Sequence, residues 1–190
     1  MAKYPDRHFD LAIVDPPYGG NAERTGGTWA SKYGKKIKEW IAPDNTYFTE
    51  LFRVSKYQII CGGNYFNLPP SRNFIIWKKH IPENFTMAMC EYLWTNIPGN
   101  AKVFQCPSFD KERFHPSQKP VALYKWLLSK YAKPDCKILD THLGSGSIAI
   151  ACNELGFSLT ASEIDKEYFE KACNRVKEAN KQGNLFTGVA

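Results

Sequence analysis

The chain has 190 residues, 43% hydrophobic and 23% charged, with a net charge of +6. That length suits one domain with a sizeable core, and the balance is that of a globular protein. No run approaches the roughly eighteen consecutive apolar residues of a membrane span, and the polar start "MAKYPDRHFD" has no apolar signal core, so a cytoplasmic setting is expected.

In chain order, "FDLAIV" is a continuous apolar run, suited to a strand covered on both faces, and it leads directly into "DPPYGG". Residues 19–40 follow as a Gly-rich basic segment with Arg24, Lys32, Lys35, Lys36 and Lys38, threaded by Trp29 and Tyr33. This reads as a mobile basic loop suited to a polyanionic partner. "PDNTYFTELFRV" has apolar residues at helical spacing and a cap at Asp44 or Asn45. "YQIIC", ended by Gly62 and Gly63, "NFIIW" and "EYLWTN" read as strands. Residues 96–114 have no clear period and read as a short irregular insertion, with a strand at "KVFQ". "PVALYKWLLSKY" predicts a helix with Pro120 in its first turn. "CKILD" predicts a strand, "GSIAIACNEL" a helix stopped by Gly156, and "FSLTASE" a strand. "KEYFEKACNRVKEANKQ" predicts an amphipathic helix with Phe169, Ala172, Cys173, Val176 and Ala179 on one stripe. The alternation of strands and helices predicts an α/β fold, a largely parallel sheet with helices on both faces, in one domain spanning 1–190.

Six cysteines occur, none as C-x-x-C, and four sit inside apolar runs such as "QIIC" and "AIAC". They read as small buried hydrophobes in a reducing compartment, not as metal ligands or disulfides.

Two stretches carry chemistry. "LAIVDPPYGG" is a strand that ends in a carboxylate, two prolines and an aromatic ring, and alone it is as readily a plain turn. "ILDTHLGSGS" is a strand followed by a Gly-x-Gly turn that opens a helix, where glycines admit a ligand close to backbone and the helix start offers free N–H groups. Glu163 comes nineteen residues after Gly144, at the end of the next strand, the distance at which an acidic residue commonly accepts from a ribose diol. Only Gly144 and Gly146 of the dinucleotide pattern are present. In a parallel sheet both stretches fall at the carboxyl rim of their strands.

Taken together and in this order, "DPPYG" (15–19), "HPSQKP" (115–120), "ILDTHLGSGS" (138–147) and "EID" (163–165) resemble the amino-group DNA methyltransferases that use S-adenosylmethionine. The tetrapeptide comes first and the cofactor loop last, which resembles the circularly permuted beta class and the small phage-type adenine enzymes. The resemblance spans roughly residues 9–176. It implies a Rossmann-like methyltransferase fold and transfer of a methyl group to the N6 amine of an adenine flipped out of duplex DNA. Restriction–modification or a phage-infected bacterial cytoplasm is the implied setting. The open alternatives are cytosine-N4 transfer, a catalytically silent DNA- or cofactor-binding relative, and methylation of RNA or of a protein amide.

By the same resemblance Asp15, Pro16, Pro17 and Tyr18 are catalytic. Asp15 and the Pro16 carbonyl would accept the amine hydrogens, and Tyr18 would stack on the base. Leu143, Gly144, Ser145 and Gly146 would face the methionine part. Asp140 would hold the loop or the cofactor's amino group, and Glu163 the ribose, with Ile164 beside the adenine. Ser117, Gln118 and Lys119 would meet the methionine carboxylate, although a solvated Lys119 is the plainer alternative. Arg24, Lys32, Lys35 and Lys36 would contact phosphate. His80 and His115 are expected to be structural, with phosphate contact by His80, Lys78 and Lys79 as an alternative to a solvated cluster. His142, which stands where the family commonly has Asp-Pro-Phe, is expected to be structural, with a place in the pocket wall as its alternative. Residues 96–114 are short for target recognition, which is compatible with a homodimer or low specificity. One of the usual seven strands is either missing or supplied by "NLFTG".

Overall fold

The computed structural model describes residues 1–19, 41–85, 87–108 and 112–186. Among these, β1 (Phe9–Val14), β2 (Ser55–Cys61), β3 (Phe74–Lys78), β4 (Cys90–Thr95), β5 (Lys102–Gln105), β6 (Lys137–Asp140) and β7 (Ser158–Ala161) form one sheet. Their spatial order is β5-β3-β4-β2-β1-β6-β7. Neighbours run parallel except at β4, which is antiparallel to both β2 and β3. The helices are α1 (Asn45–Val54), α2 (Val121–Tyr131), α3 (Ser147–Leu155) and α4 (Lys166–Phe186).

The unbroken apolar run of β1 is explained by its central place. Leu11 and Ile13 pack with Leu123 and Leu127 of α2 and Ile148 of α3 on one face. Ala12 and Val14 pack with Phe48 and Leu51 of α1 on the other. Alternate side chains of a strand point to opposite faces, so a strand covered twice must be apolar throughout. Burying each large aliphatic side chain contributes roughly 1.5–3 kcal/mol.

Local signals set the helix ends. Asp44 caps α1 by accepting the Tyr47 N–H at 3.1 Å. Gly156, at φ +76°, closes α3 in the left-handed conformation that a side chain disfavours. Pro120 is the N-cap residue of α2, not part of its first turn.

Three expectations are corrected. The strand expected at "KVFQ" is present as β5 and joins the edge of the main sheet beside β3, so the seventh strand is neither missing nor supplied by "NLFTG". The start of "NLFTG" belongs instead to α4, which runs on to Phe186. Phe169 leaves the predicted apolar stripe and is exposed, while Ala172 on the same helix is fully buried. Of the cysteines, Cys61 and Cys152 are buried, but Cys90 is exposed. No helix among the described residues is long and apolar enough to cross a membrane.

Candidate active site

The strand order reverses at β1, with β2 on one side and β6 on the other. Ligands of open α/β sheets sit at the carboxyl ends of strands around such a point. Because β1, β6 and β7 are parallel, Asp15, the turn after Asp140 and Glu163 all emerge on that rim. Between them lies a cavity of about 560 Å³, within the usual size of a small-molecule site.

One wall is Asp15 to Tyr18. Tyr18 donates its hydroxyl to Asp15 Oδ1 at 2.9 Å, and Lys119 Nζ reaches Asp15 Oδ2 at 2.5 Å. The Tyr18 ring stacks on Tyr65, with centroids 4.6 Å apart and planes 18° apart. Gly62, at φ +66°, makes room for it: a Cβ there would lie 2.2 Å from the Tyr18 ring. Burial pushes the Asp15 carboxyl above the ordinary carboxylate range, and Lys119 opposes it. The Lys119 ammonium is disfavoured by burial, but Asp15 and Glu91 outweigh that and hold it firmly protonated.

The opposite wall is the turn after β6. Gly144 (φ +53°) and Gly146 (φ +75°) both take left-handed backbone there. Glu163 braces the turn, since Oε2 accepts the Gly144 N–H at 2.8 Å and Oε1 accepts the Asp165 N–H at 3.0 Å. Arg175 of α4 ties the same turn down by donating to the Ser145 carbonyl at 3.0 Å and to Ser147 Oγ at 2.8 Å. Ile164 projects fully exposed at the cavity edge, an apolar platform beside a carboxylate.

Leu143, Gly144, Ser145, Ser117, Lys119, Glu163 and Ile164 all line the cavity. Asp140 does not. It is buried and accepts the His142 N–H at 2.9 Å, so it holds the loop. Burial pushes its carboxyl up to about 7, against the lowering effect of that N–H. Gly146 faces α4 rather than the cavity, because a Cβ there would meet Ala172 at 3.2 Å. Gln118 is turned into the protein, where its Oε1 accepts the Phe114 N–H at 3.3 Å. Lys119 is not a solvated surface lysine: it is 4% exposed and paired with Asp15.

His115 is corrected from a structural residue to a cavity wall, and His142 takes the alternative given for it, lining the same cavity. Burial lowers both rings to about 4, so they are neutral near pH 7. His142 is set by a chain in which Tyr47 OH and Thr141 Oγ1 lie 2.7 Å apart, and Thr141 Oγ1 and His142 Nδ1 3.0 Å apart. His80 is exposed at positive φ on the end of β3. Arg24, Lys32, Lys35 and Lys36, with all of the basic loop except Gly19, lie outside the described residues.

Sequence reasoning missed Glu91, Tyr65 and Tyr124. Glu91 stands in a plain strand pattern, "CEYLW", and nothing in that pattern marks it. The doublet Gly62-Gly63 before Tyr65 was a usable signal, because paired glycines at a strand end often admit a close neighbour. Tyr124 sat in plain view on a helix face, where an aromatic reads as core.

Comparison with known proteins bears directly on this cavity. The sequence model of a DNA methylase family, covering N6 and N4 methyltransferases, matches residues 76–174. The chain is 26% identical to YubD of Escherichia coli K12, named as a methylase, over 96% of this chain and 89% of that protein. The crystal structure of M1.HpyAVI in complex with SAM superposes with a TM-score of 0.56 at 23% identity, over 90% of this chain and 89% of the other. The cytosine-N4-specific PvuII DNA methyltransferase superposes with a TM-score of 0.60 at 11% identity, over 95% and 87%. At these identities the two structures establish the shared Rossmann-like methyltransferase fold.

Proposed function

This chain belongs to the DNA methylase family, and from that premise we propose that it transfers a methyl group from S-adenosyl-L-methionine to the exocyclic N6 of adenine in duplex DNA. The observation that carries this reading is the placement of the Asp15 carboxylate on the rim of a cavity whose far side is the Glu163-braced glycine turn.

The residues present fit the cofactor. Glu163 keeps lone pairs beyond its two backbone bonds and would accept from the ribose hydroxyls. The exposed face of Ile164 would lie along the adenine, and the backbone from Leu143 to Ser145 would run beside the methionine part. When bound, the cofactor supplies a methyl group made electrophilic by its sulfonium.

Everything else falls to the protein. An aromatic amine is a poor nucleophile because its lone pair is delocalised into the ring. Asp15 Oδ1 accepts one N–H and the Pro16 carbonyl accepts the other, which turns the lone pair out of the ring plane and stabilises the positive charge developing on nitrogen. Pro16 and Pro17 fix φ, so that this carbonyl holds its direction. The Tyr18 hydroxyl gives up Oδ1 as the base enters; because Gly62 and Tyr65 already cover the two faces of its ring, the ring borders the base by its edge instead of stacking on it. The proton released by the amine passes to Asp15. The base must leave the duplex to reach this depth, so flipping is part of the reaction. The basic loop grips phosphate, which makes affinity fall with salt. The order of the motifs supports the permuted beta-class arrangement, and Asp rather than Ser at position 15 supports adenine over cytosine.

The test is incubation with labelled S-adenosylmethionine and duplex DNA, followed by digestion to nucleosides. N6-methyladenine is expected. N4-methylcytosine would reassign the base, and no methylated nucleoside at any salt concentration would overturn the reading. Asp15→Ala should abolish transfer and leave cofactor binding within about twofold, because Asp15 acts on the transition state.

A further inference from the structure

The resemblance assigns Lys119 to the cofactor's carboxylate, yet the geometry points elsewhere. Its side chain is 3% exposed, and its ammonium lies 2.5 Å from Asp15 Oδ2 and 3.3 Å from Glu91 Oε2. Glu91 stands on β4, the antiparallel strand, whose beginning therefore falls on the catalytic rim. Its other oxygen takes Lys79 Nζ at 2.6 Å. Two carboxylates and two ammonium groups thus alternate in one chain, Asp15–Lys119–Glu91–Lys79, with no net charge. Lys119 and Lys79 together outweigh burial and hold Glu91 ionised, below its usual range.

We propose that Lys119, anchored by Glu91, is a positioning residue that locks the Asp15 carboxylate through Oδ2 and leaves Oδ1 as the acceptor for the substrate amine. This deepens the methyltransferase reading and rests on it. The physical need is clear. A buried carboxylate without a cation takes up a proton, and a neutral acid is a weaker acceptor that does little for positive charge on nitrogen. A cation free to swing would leave the carboxylate free to rotate, and Glu91 removes that freedom by holding the ammonium from the other side. Tyr18 and Lys119 touch Asp15, and the charges of Glu91 from β4, Cys61 from β2, Tyr124 from α2, Tyr47 from α1 and Asp140 from β6 are coupled to it through the buried surroundings. Lys119 is the largest influence among them that favours ionisation of Asp15.

The experiment combines kinetics with an observation that needs neither cofactor nor DNA. Protein labelled with ¹³C at Asp carboxyls is titrated by NMR, and the Asp15 signal is identified by its absence in Asp15→Asn. In Lys119→Met the Asp15 midpoint should rise by roughly 1–3 pH units, as expected when an adjacent opposite charge is lost. The acid limb of kcat/KM should rise with it, and kcat at pH 7 should fall by about 100-fold or more. Lys119→Arg should return the midpoint and the limb towards wild type. Glu91→Gln should lower kcat about 3–10-fold without raising the midpoint, because the charge next to Asp15 remains while its anchor is gone. Lys119→Gln replaces Lys119→Met if the latter does not fold, with the same expected shift. An unmoved Asp15 midpoint in the charge-removing variant overturns the inference, as does an unmoved limb accompanied by a large loss of cofactor affinity. An active wild type with an unmoved midpoint sinks the inference and leaves the methyltransferase reading standing. A shifted midpoint in a protein that methylates no DNA does the reverse.

Discussion

Gly62→Ala tests the tight packing of the Tyr18 ring against Gly62. The new Cβ would lie 2.2, 2.5 and 2.8 Å from three atoms of the Tyr18 ring. Carbon atoms in contact sit about 3.5–4.0 Å apart, so the ring must move by more than 1 Å. It cannot slide freely, because its other face stacks on Tyr65 and its hydroxyl is held by Asp15. Overpacking of this kind costs about 1–3 kcal/mol. The left-handed backbone at φ +66° adds about 1–2 kcal/mol for any residue with a Cβ. The smaller entropy of an unfolded chain carrying alanine offsets about 0.4–1 kcal/mol. The net loss is therefore about 1–4.6 kcal/mol, centred on about 3 kcal/mol. In a Tyr18→Ala background the steric part vanishes and only the backbone part remains. Urea unfolding of wild type, both single variants and the double variant should give a coupling energy of at least about 1 kcal/mol, with the double variant more stable than additivity predicts. Additivity within about 0.5 kcal/mol would refute the reasoning, since residues out of contact behave that way.

Two further outcomes are expected. Glu163→Gln can satisfy only one of the two backbone N–H groups that Glu163 now accepts, so the glycine turn should loosen by about 1–2 kcal/mol. Cofactor affinity by calorimetry should fall about 10-fold, and unchanged affinity would contradict the brace. The two cavity histidines set an acid dependence: burial lowers both to about 4, against about 6.5 in the unfolded chain, so the neutral form is the stable one in the fold. Their contribution is fully present above pH 6.5 and is lost as pH falls towards 4, by up to about 3 kcal/mol each. Asp140, raised to about 7, acts in the opposite sense, losing its contribution as pH rises through 7. Unfolding at pH 7 and pH 4.5 should show a smaller acid loss for His115→Gln/His142→Gln than for wild type, and an equal loss would contradict the assignment.

Much of the fold is legible in the sequence because its causes are local. A strand covered on both faces must be apolar throughout, and "FDLAIV" is. A helix must have a cap and a stop, and Asp44 and Gly156 supply them. A turn that brings backbone to a ligand requires positive φ, and Gly144 supplies it. What only the tertiary structure decided is which side chains meet. Asp15 and Lys119 are 104 residues apart in the chain, and they touch because β1 and the segment before α2 end on one rim. Glu91 joins them because β4 runs antiparallel, a direction that no pattern within "CEYLW" encodes. Neighbours in "HPSQKP" part company for a related reason. His115 to Gln118 form a turn in which the Gln118 N–H donates to the His115 carbonyl at 3.1 Å, and the chain reversal sends Gln118 into the protein while Ser117 and Lys119 face the cavity. Sequence periodicity determines which surface an element buries. The charge that a buried carboxylate meets is set by distant strands arriving at the same edge.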